Sequence, residues 1–183
     1  METFSFPALG TTWSIVLDHD YFSEIHRKAL LETVVCFEEH FSRFLPESEV
    51  NQFRDRPAGV YEISPELALI LAQADRLRRL TAGRYDPAIG GLLEASGYNP
   101  TYRFTAEKNA HEFRLPDWSL DGTLLTLSAP VIFDLGGIGK GYAIDLVATA
   151  LKEQGYVYFL VEGGGDMYCT TKRDGSPYQI ALE

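Results

Sequence analysis

The glycine-rich stretch at residues 134–145, DLGGIGKGYAID, places the strongest constraint on what this chain can fold into. It follows three apolar residues, 131–133, that predict a strand, and it leads into a helical pattern that extends from Tyr142 to about Gln154. The first backbone N–H groups of a helix have no partner within the helix, and the helix dipole is positive there. The stretch therefore predicts a corner between a strand and a helix that is suited to an anion or a phosphate.

This corner differs from the two common nucleotide-binding loops. In the pattern GxxxxGK[ST], Asp134 occupies the first glycine position and Gly141 the Ser/Thr position. In the dinucleotide pattern GxGxxG, Tyr142 stands where the third glycine belongs. The patterns HExxH, paired Cys/His and GxSxG do not occur, which argues against a zinc site and a serine hydrolase. A cation that prefers oxygen ligands, such as Mg²⁺, stays possible.

Composition and charge exclude several classes of function. The chain has 183 residues, 45% hydrophobic and 23% charged, which fits a soluble globular protein with its own core. Its formal net charge of -10 argues against nucleic acid and anionic membranes as partners. No apolar run approaches the ~20 residues of a membrane span and no signal peptide is seen, so a cytoplasmic location is expected. Cys36 and Cys169 form no CxxC pattern, and Cys36 is expected to be a buried thiol.

The apolar periodicity predicts an α+β fold in a single domain over residues 1–183, with mixed, largely antiparallel sheets and helices packed on them. The predicted strands cover residues 11–17, 60–63, 118–120, 124–127, 131–133, 157–161, 167–170 and 178–183. The predicted helices cover residues 21–44, 49–53, 65–82, a short segment from Pro87, and 142–154. The first helix is expected to bury the apolar stripe Phe22, Ile25, Ala29, Phe37, Phe41 and Phe44. Residues 98–117 are expected to be mostly loop, with a short helix near 106–110.

Local capping and turn signals give sharper expectations. Three residues are expected to cap predicted helices: Ser48, Ser64 and Asp86. The pair Asp121-Gly122 predicts a hairpin turn, and Gly90 permits close approach of another backbone. Gly10 either brings the backbone close to a ligand or simply turns the chain into a strand. Tyr85 lies at a helix entry, where its ring either stacks on a planar ligand or packs against its own helix.

Five blocks of the sequence, in the same order along the chain, resemble the ApbE family, the FAD:protein FMN transferases. The glycine corner at residues 134–145 is similar to the signature of that family. The other four blocks are ALGTTWSI at 8–15, FSRFLPESEVNQF at 41–53, GRYDPAIGGLLEASGY at 83–98 and LVEGGGDM at 160–167. The resemblance covers nearly the whole chain and implies an ApbE-like fold.

The resemblance also implies an activity and a set of contacts. It implies an enzyme that takes FAD as its substrate, splits the pyrophosphate with Mg²⁺ and attaches FMN through a phosphoester to a Thr or Ser of a target protein. By motif position, the implied FAD contacts are Leu9, Phe44, Arg84, Tyr85, Asp86, Asp134 and Lys140. The Gly137 carbonyl is implied as one metal ligand, and no catalytic residue is assigned.

The chemistry of these side chains agrees with the implied roles. Lys140 at a helix start suits a diphosphate, and the carboxylate of Asp134 can accept hydrogen bonds from donors on the cofactor. The aromatic rings of Tyr85 and Phe44 suit planar groups. The residue chemistry thus agrees with the FAD site that the resemblance implies.

The sequence also departs from the family pattern. Leu9 replaces the usual Met, Glu162 replaces the usual Asn, and Ala88-Ile89 replaces the common Thr-Val. The family's D-A-[LW]-[SA]-T motif, whose Asp and Thr bind the metal, and a His-containing segment before it do not occur in residues 1–183. The expectation is a transferase truncated before its metal-binding segment. The alternatives are a non-catalytic FAD-binding module, and half of a split enzyme whose second chain pairs with the predicted final strand.

Overall fold

The computed structural model describes residues 1–98 and 114–180 of the chain. Its strands are β1 (Glu2–Ala8), β2 (Thr11–Leu17), β3 (Gly59–Glu62), β4 (Trp118–Asp121), β5 (Leu124–Leu127), β6 (Phe159–Gly163) and β7 (Asp166–Cys169). Its α-helices are α1 (Glu24–Phe41), α2 (Pro65–Leu80), α3 (Gly90–Ala95) and α4 (Gly139–Glu153), and two 3₁₀ helices cover Glu49–Phe53 and Pro87–Ile89. Every strand pairing in this described part is antiparallel, which confirms the predicted α+β fold.

The chain divides into two compact units, and the first consists of residues 1–38 and 140–183. Four antiparallel strands of this unit lie in the order β1-β2-β6-β7. Leu9 and Gly10 join β1 to β2 in a two-residue turn, and both have positive φ, 50° and 70°. Alternate side chains of β2 and β6 point into the core, as the period of two in a strand requires. The buried apolar side chains of these two strands are Trp13, Ile15, Leu17, Phe159 and Val161.

The second unit, residues 39–139, contains a three-stranded sheet in the order β3-β5-β4. The Ser64 hydroxyl caps α2 by accepting a hydrogen bond from the Leu67 backbone N–H at 3.1 Å, which confirms the predicted cap. Gly122, with a φ of 58°, turns β4 into β5 as predicted. The buried side chains of α2 are Leu67, Ala68, Ile70, Leu71 and Ala74. Local capping and turn chemistry therefore sets the bounds of this unit's helices and hairpin.

The prediction of a strand at residues 131–133 is wrong. Backbone bonds of this segment go to two separate places instead of one neighbouring strand. The Val131 N–H donates to the Phe53 carbonyl at 3.0 Å, and the Ile132 carbonyl accepts from the Gly90 N–H at 3.0 Å. Both ends of the apolar segment are nevertheless buried, since Val131 is 1% exposed and Phe133 is fully buried. The apolar run thus predicted burial correctly but not the backbone partners.

Two strand assignments also change. The predicted final strand does not form at residues 178–180. Pro177, just before them, has no N–H to donate to a ladder. Residues 181–183 of the predicted strand lie outside the described part. Strand β1 was not predicted, although Phe4 and Phe6 alternate with polar residues. It is an edge strand, where Pro7 is tolerated. The predicted helix near residues 106–110 also lies outside the described residues.

Helix α1 is shorter than the predicted span of residues 21–44, and the predicted stripe is buried at Phe22, Phe37 and Phe41 but not along its whole length. The Ser23 hydroxyl accepts from the His26 N–H at 3.1 Å, and the helix begins at Glu24. Its buried side chains are Leu30, Val34, Phe37 and Phe41, whereas Ile25 is 79% exposed. Cys36 is exposed, so the prediction of a buried thiol is wrong, because this position lies off the buried face. The predicted helix at Glu49–Phe53 forms, but the buried Ser48 hydroxyl does not cap it.

Among the described residues, no helix combines the length and the apolar composition needed to cross a membrane.

Candidate functional site

Asp134 lies in the second unit, where backbone and side-chain bonds fix its position. Its N–H donates to the Pro87 carbonyl oxygen at 2.7 Å. Its Oδ1 accepts from the Gly136 N–H at 2.8 Å, and its Oδ2 accepts from Nε of Arg43. A carboxylate oxygen has room for more than one donor, so both oxygens keep acceptor capacity toward a ligand. The structure thus gives Asp134 a fixed carboxylate at the predicted corner.

Arg43 is the partner of Asp134, and the sequence did not single it out. Its side chain is 2% exposed, and Nη2 donates to the Tyr98 carbonyl oxygen at 3.0 Å. The ring of Phe44, an implied FAD contact, lies with its centroid 4.2 Å from the guanidinium carbon of Arg43. Arg43 lies within the family-like block at residues 41–53, but Asp134 is 91 residues away in the sequence. No short-range pattern in the sequence could have identified this pair.

Tyr85 packs its ring against the glycine corner. A Cβ added at Gly137 would lie 2.9 Å from Cε2 of this ring, so only glycine permits the packing. The Tyr85 hydroxyl is buried and has no hydrogen-bond partner among the described residues. Burial, followed by the charges of Asp134 and Asp86, raises the pKa of Tyr85 to about 12. The phenol is therefore neutral near pH 7 and presents an apolar ring edge at the corner.

Asp86 and Arg84 flank Tyr85 in different surroundings. Oδ1 of Asp86 accepts from the Ala88 N–H at 2.9 Å and from Nε1 of Trp118 at 3.0 Å, which confirms its predicted capping role. This carboxylate thus holds the Tyr85 loop to β4. Arg84 is exposed and follows Gly83, whose φ of 77° ends the turn after α2.

Lys140 belongs to the first unit, in the first turn of α4. A Cβ added at Gly164 would lie 3.3 Å from Cε of Lys140 and 3.2 Å from Oγ1 of Thr11, so these two side chains lie beside the glycine turn between β6 and β7. The positive charge of a lysine is repelled by the positive end of the helix dipole at the N-terminus, so Lys140 does not stabilise the helix there. This placement fits an anionic ligand at the start of α4.

Two other positions of the first unit also concern the family pattern. Leu9 adopts the positive φ described above, and its N–H donates to Oε2 of Glu38 at 3.0 Å, which favours the interpretation of this segment as a tight turn. Glu162, which replaces the family's usual Asn, accepts from the Gly165 N–H at 2.9 Å. Gly164 and Gly165 both have positive φ, as a two-residue hairpin turn requires. The substitution at 162 therefore keeps a side-chain acceptor for this turn.

Among the described residues, no group of three or more His, Cys, Asp or Glu side chains is placed to hold a metal ion. Mg²⁺ prefers an octahedron of oxygen ligands, and the Gly137 carbonyl would supply only one. Within the second unit, the Asp134 carboxylate keeps acceptor capacity beside the rings of Tyr85 and Phe44. Within the first unit, Lys140 lies at the start of a helix.

Comparison with known proteins gives matches along nearly the whole chain. The model of the ApbE family matches residues 9–183. The chain is 29% identical to the FAD:protein FMN transferase of Vibrio cholerae serotype O1, over 97% of this chain and 57% of that protein. It is 31% identical to the FAD:protein FMN transferase of Chlamydia muridarum, over 77% of this chain and 48% of that protein.

Solved structures give the same result. The structure titled "Flavin Transferase ApbE from Vibrio cholerae" matches with a TM-score of 0.88 at 25% identity, and the match covers 100% of this chain and 63% of that one. The chain thus spans about half the length of the curated relatives it matches.

Proposed function

Because the chain belongs to the ApbE family, we propose that it binds FAD and works in the transfer of FMN from FAD to a target protein. The observation that supports this most directly is the family match over residues 9–183, which includes the corner at Asp134 and Lys140. The relatives described above are named FAD:protein FMN transferase. The fixed Asp134 carboxylate and the Lys140 side chain at a helix start agree with such a substrate.

The proposed contacts divide by chemistry. Lys140 neutralises the diphosphate, together with the N–H groups at the start of α4. Asp134 accepts hydrogen bonds from N–H or O–H groups of FAD. The remaining proposed contacts are Leu9, Phe44, Arg84, Tyr85 and Asp86. Among them, the rings of Phe44 and Tyr85 provide apolar surface for planar groups.

The proposed reaction is a phosphoryl-group transfer to a Thr or Ser side chain of the target. The hydroxyl oxygen of that side chain forms a bond to the phosphorus of the FMN half, while the bond from this phosphorus to the oxygen that leads to AMP breaks. The hydroxyl proton is released, and AMP leaves. We propose that the reaction depends on Mg²⁺, with the Gly137 carbonyl as one ligand. The phosphates of FAD would supply further ligands.

One observation favours a second candidate, a FAD-binding module without transfer activity. The described residues hold no group of three or more side chains suited to a metal ion. A module of this kind would bind FAD equally well with and without Mg²⁺ and would release no AMP.

A titration of the purified chain with FAD, followed by AMP analysis, tests both candidates. We expect binding that Lys140→Met weakens about tenfold, because a charge-assisted contact is lost. The matched control is Lys28→Met, whose lysine is 76% exposed and, among residues 1–98 and 114–180, pairs only with an exposed glutamate, Glu32, in the next helical turn. That control is expected to change affinity less than about twofold. The AMP analysis includes an acceptor protein with accessible Thr and Ser hydroxyls, because the proposed transfer needs such a group. AMP release that requires Mg²⁺ and this acceptor supports transfer, Mg²⁺-independent binding without AMP supports the module, and absence of FAD binding contradicts both.

A further inference from the structure

Arg43 is the charged side chain that the second unit buries most deeply among its described residues. It follows the end of α1, and its guanidinium has partners in three directions. Nε donates to Oδ2 of Asp134, Nη1 lies 3.4 Å from Oε1 of Glu94, and Nη2 donates to the Tyr98 carbonyl at 3.0 Å. A buried guanidinium is tolerated only when its donors are satisfied in this way.

The geometry shows which carboxylate depends on Arg43. Glu94 already receives two hydrogen bonds from Arg54, at 2.7 and 2.9 Å, and these bonds are the main cause that lowers its pKa. The contact between Arg43 and Glu94 is longer, at 3.4 Å. Among the described residues, Asp134 has no ion-pair partner other than Arg43. Arg43 is therefore the cation that compensates Asp134, whereas Glu94 has its own.

The orientation of the guanidinium is also fixed. The centroids of two aromatic rings, Phe44 and Tyr98, lie 4.2 and 4.9 Å from its central carbon. Aromatic faces at this distance attract a guanidinium and restrict its tilt. With Nη2 anchored on the Tyr98 carbonyl, Nε is left to point at Asp134. A lysine has no planar fork and could not serve these partners together.

We propose that Arg43 is a positioning residue of the FAD site, which holds the Asp134 carboxylate in the orientation that accepts donors of FAD. This inference rests on the proposed function, because it assumes that Asp134 contacts FAD. In this proposal Arg43 affects FAD affinity because it orients the Asp134 carboxylate. Arg43 itself does not need to touch the ligand.

The test is a double-mutant cycle in FAD affinity on the full chain. Arg43→Lys keeps the charge but loses the fork, and we expect it to weaken FAD binding about tenfold, as should Asp134→Asn. In the Asp134→Asn background, Arg43→Lys should weaken FAD binding further by less than about twofold, because the carboxylate that Arg43 positions is already replaced. The matched control is Arg54→Lys, which also alters an arginine on Glu94 but does not contact Asp134. It should change affinity less than about twofold.

Each outcome decides between positioning and a structural role. Additive losses from the Arg43 and Asp134 substitutions, or equal losses from Arg54→Lys and Arg43→Lys, would overturn the inference. So would a native-like Arg43→Lys chain that binds FAD normally, or unfolding of Arg43→Lys while Arg54→Lys folds. If Asp134→Asn weakens binding but Arg43→Lys does not, the proposed function stands without this inference. If the unchanged chain does not bind FAD, both fail.

Discussion

The two units of the chain hold their extended segments in different ways. In the first unit, β2 is paired along its length with β1 and over five residues with β6, so a continuous ladder fixes its register. In the second unit, the segment that leads to Asp134 has backbone bonds to Phe53, Gly90 and Pro87, which lie in or beside separate short helices. A ladder depends on regular alternation, whereas a segment held at single points depends on close packing at each point. The candidate site in the second unit therefore lies on the kind of segment that packing errors disturb most.

The largest effect is expected in the ladder of the first unit, at Trp13. Its side chain is fully buried, and its ring stacks on Phe6 at 6.2 Å between centroids. Trp13→Ala should lower the free energy of unfolding by about 3–5 kcal/mol, because it removes a large ring and leaves a cavity. Urea denaturation followed by circular dichroism measures this change.

The control for Trp13→Ala is Ile25→Ala in the same unit. Ile25 is 79% exposed on α1, so its truncation should change the free energy of unfolding by less than about 0.5 kcal/mol. Comparable losses from the two substitutions would mean that the ladder core does not dominate the stability of this unit.

The difference between the units also explains what the sequence could predict. Ser64, Asp86 and Gly122 act on residues close in the chain, so capping and turn patterns located them correctly. The apolar residues 131–133 were correctly predicted to be buried, but which backbone groups they would meet depends on distant residues.

The candidate site shows the same limit. The resemblance placed Tyr85 and Asp134 in the site, and the structure packs the Tyr85 ring against Gly137, three residues after Asp134. Arg43 was missed, because its partners Asp134 and Glu94 are 91 and 51 residues away. Charge pairs across such separations arise from tertiary packing, which neither periodicity nor motif spacing encodes.

A smaller effect is expected at the close packing in the second unit. A Cβ added at Gly90 would overlap the Ile132 carbonyl oxygen and lie 2.7 Å from Cγ2 of the same residue. Gly90→Ala should therefore lower the free energy of unfolding by about 1–3 kcal/mol, because backbone must move to admit the methyl group. It should also weaken FAD binding, since the displaced segment leads directly to Asp134.

The matched control is Gly141→Ala in the first turn of α4, where an added Cβ meets nothing within 4 Å. Alanine favours a helix over glycine, so this change should be neutral or should raise the free energy of unfolding by up to about 1 kcal/mol. A destabilisation as large as that of Gly90→Ala would show that crowding does not distinguish the two positions.

The smallest effect at neutral pH is expected at Tyr85, where the measured quantity is the pH dependence of stability. Burial and two nearby carboxylates raise the pKa of this phenol to about 12 in the folded chain, against about 10 for an unfolded tyrosine. The folded state therefore holds the proton more tightly, and its advantage is complete below about pH 10 and is lost as the pH rises toward 12. Tyr85→Phe should remove this part of the decline in the free energy of unfolding. At pH 7 it should be nearly neutral or stabilising, because the lost hydroxyl is buried without a partner among the described residues.

Tyr21→Phe is the control for Tyr85→Phe, because the Tyr21 side chain is 81% exposed and already in water. Urea denaturation of the three proteins gives the free energy of unfolding at each pH from 8 to 11.5. Plotted against pH, this free energy should fall in parallel for the unchanged chain and Tyr21→Phe, and less steeply for Tyr85→Phe. Identical slopes in all three would mean that the corner leaves the Tyr85 phenol open to water. In that case the Arg43 ion pair and the backbone bonds alone would position Asp134, and the Tyr85 ring would not shield this part of the second unit from water.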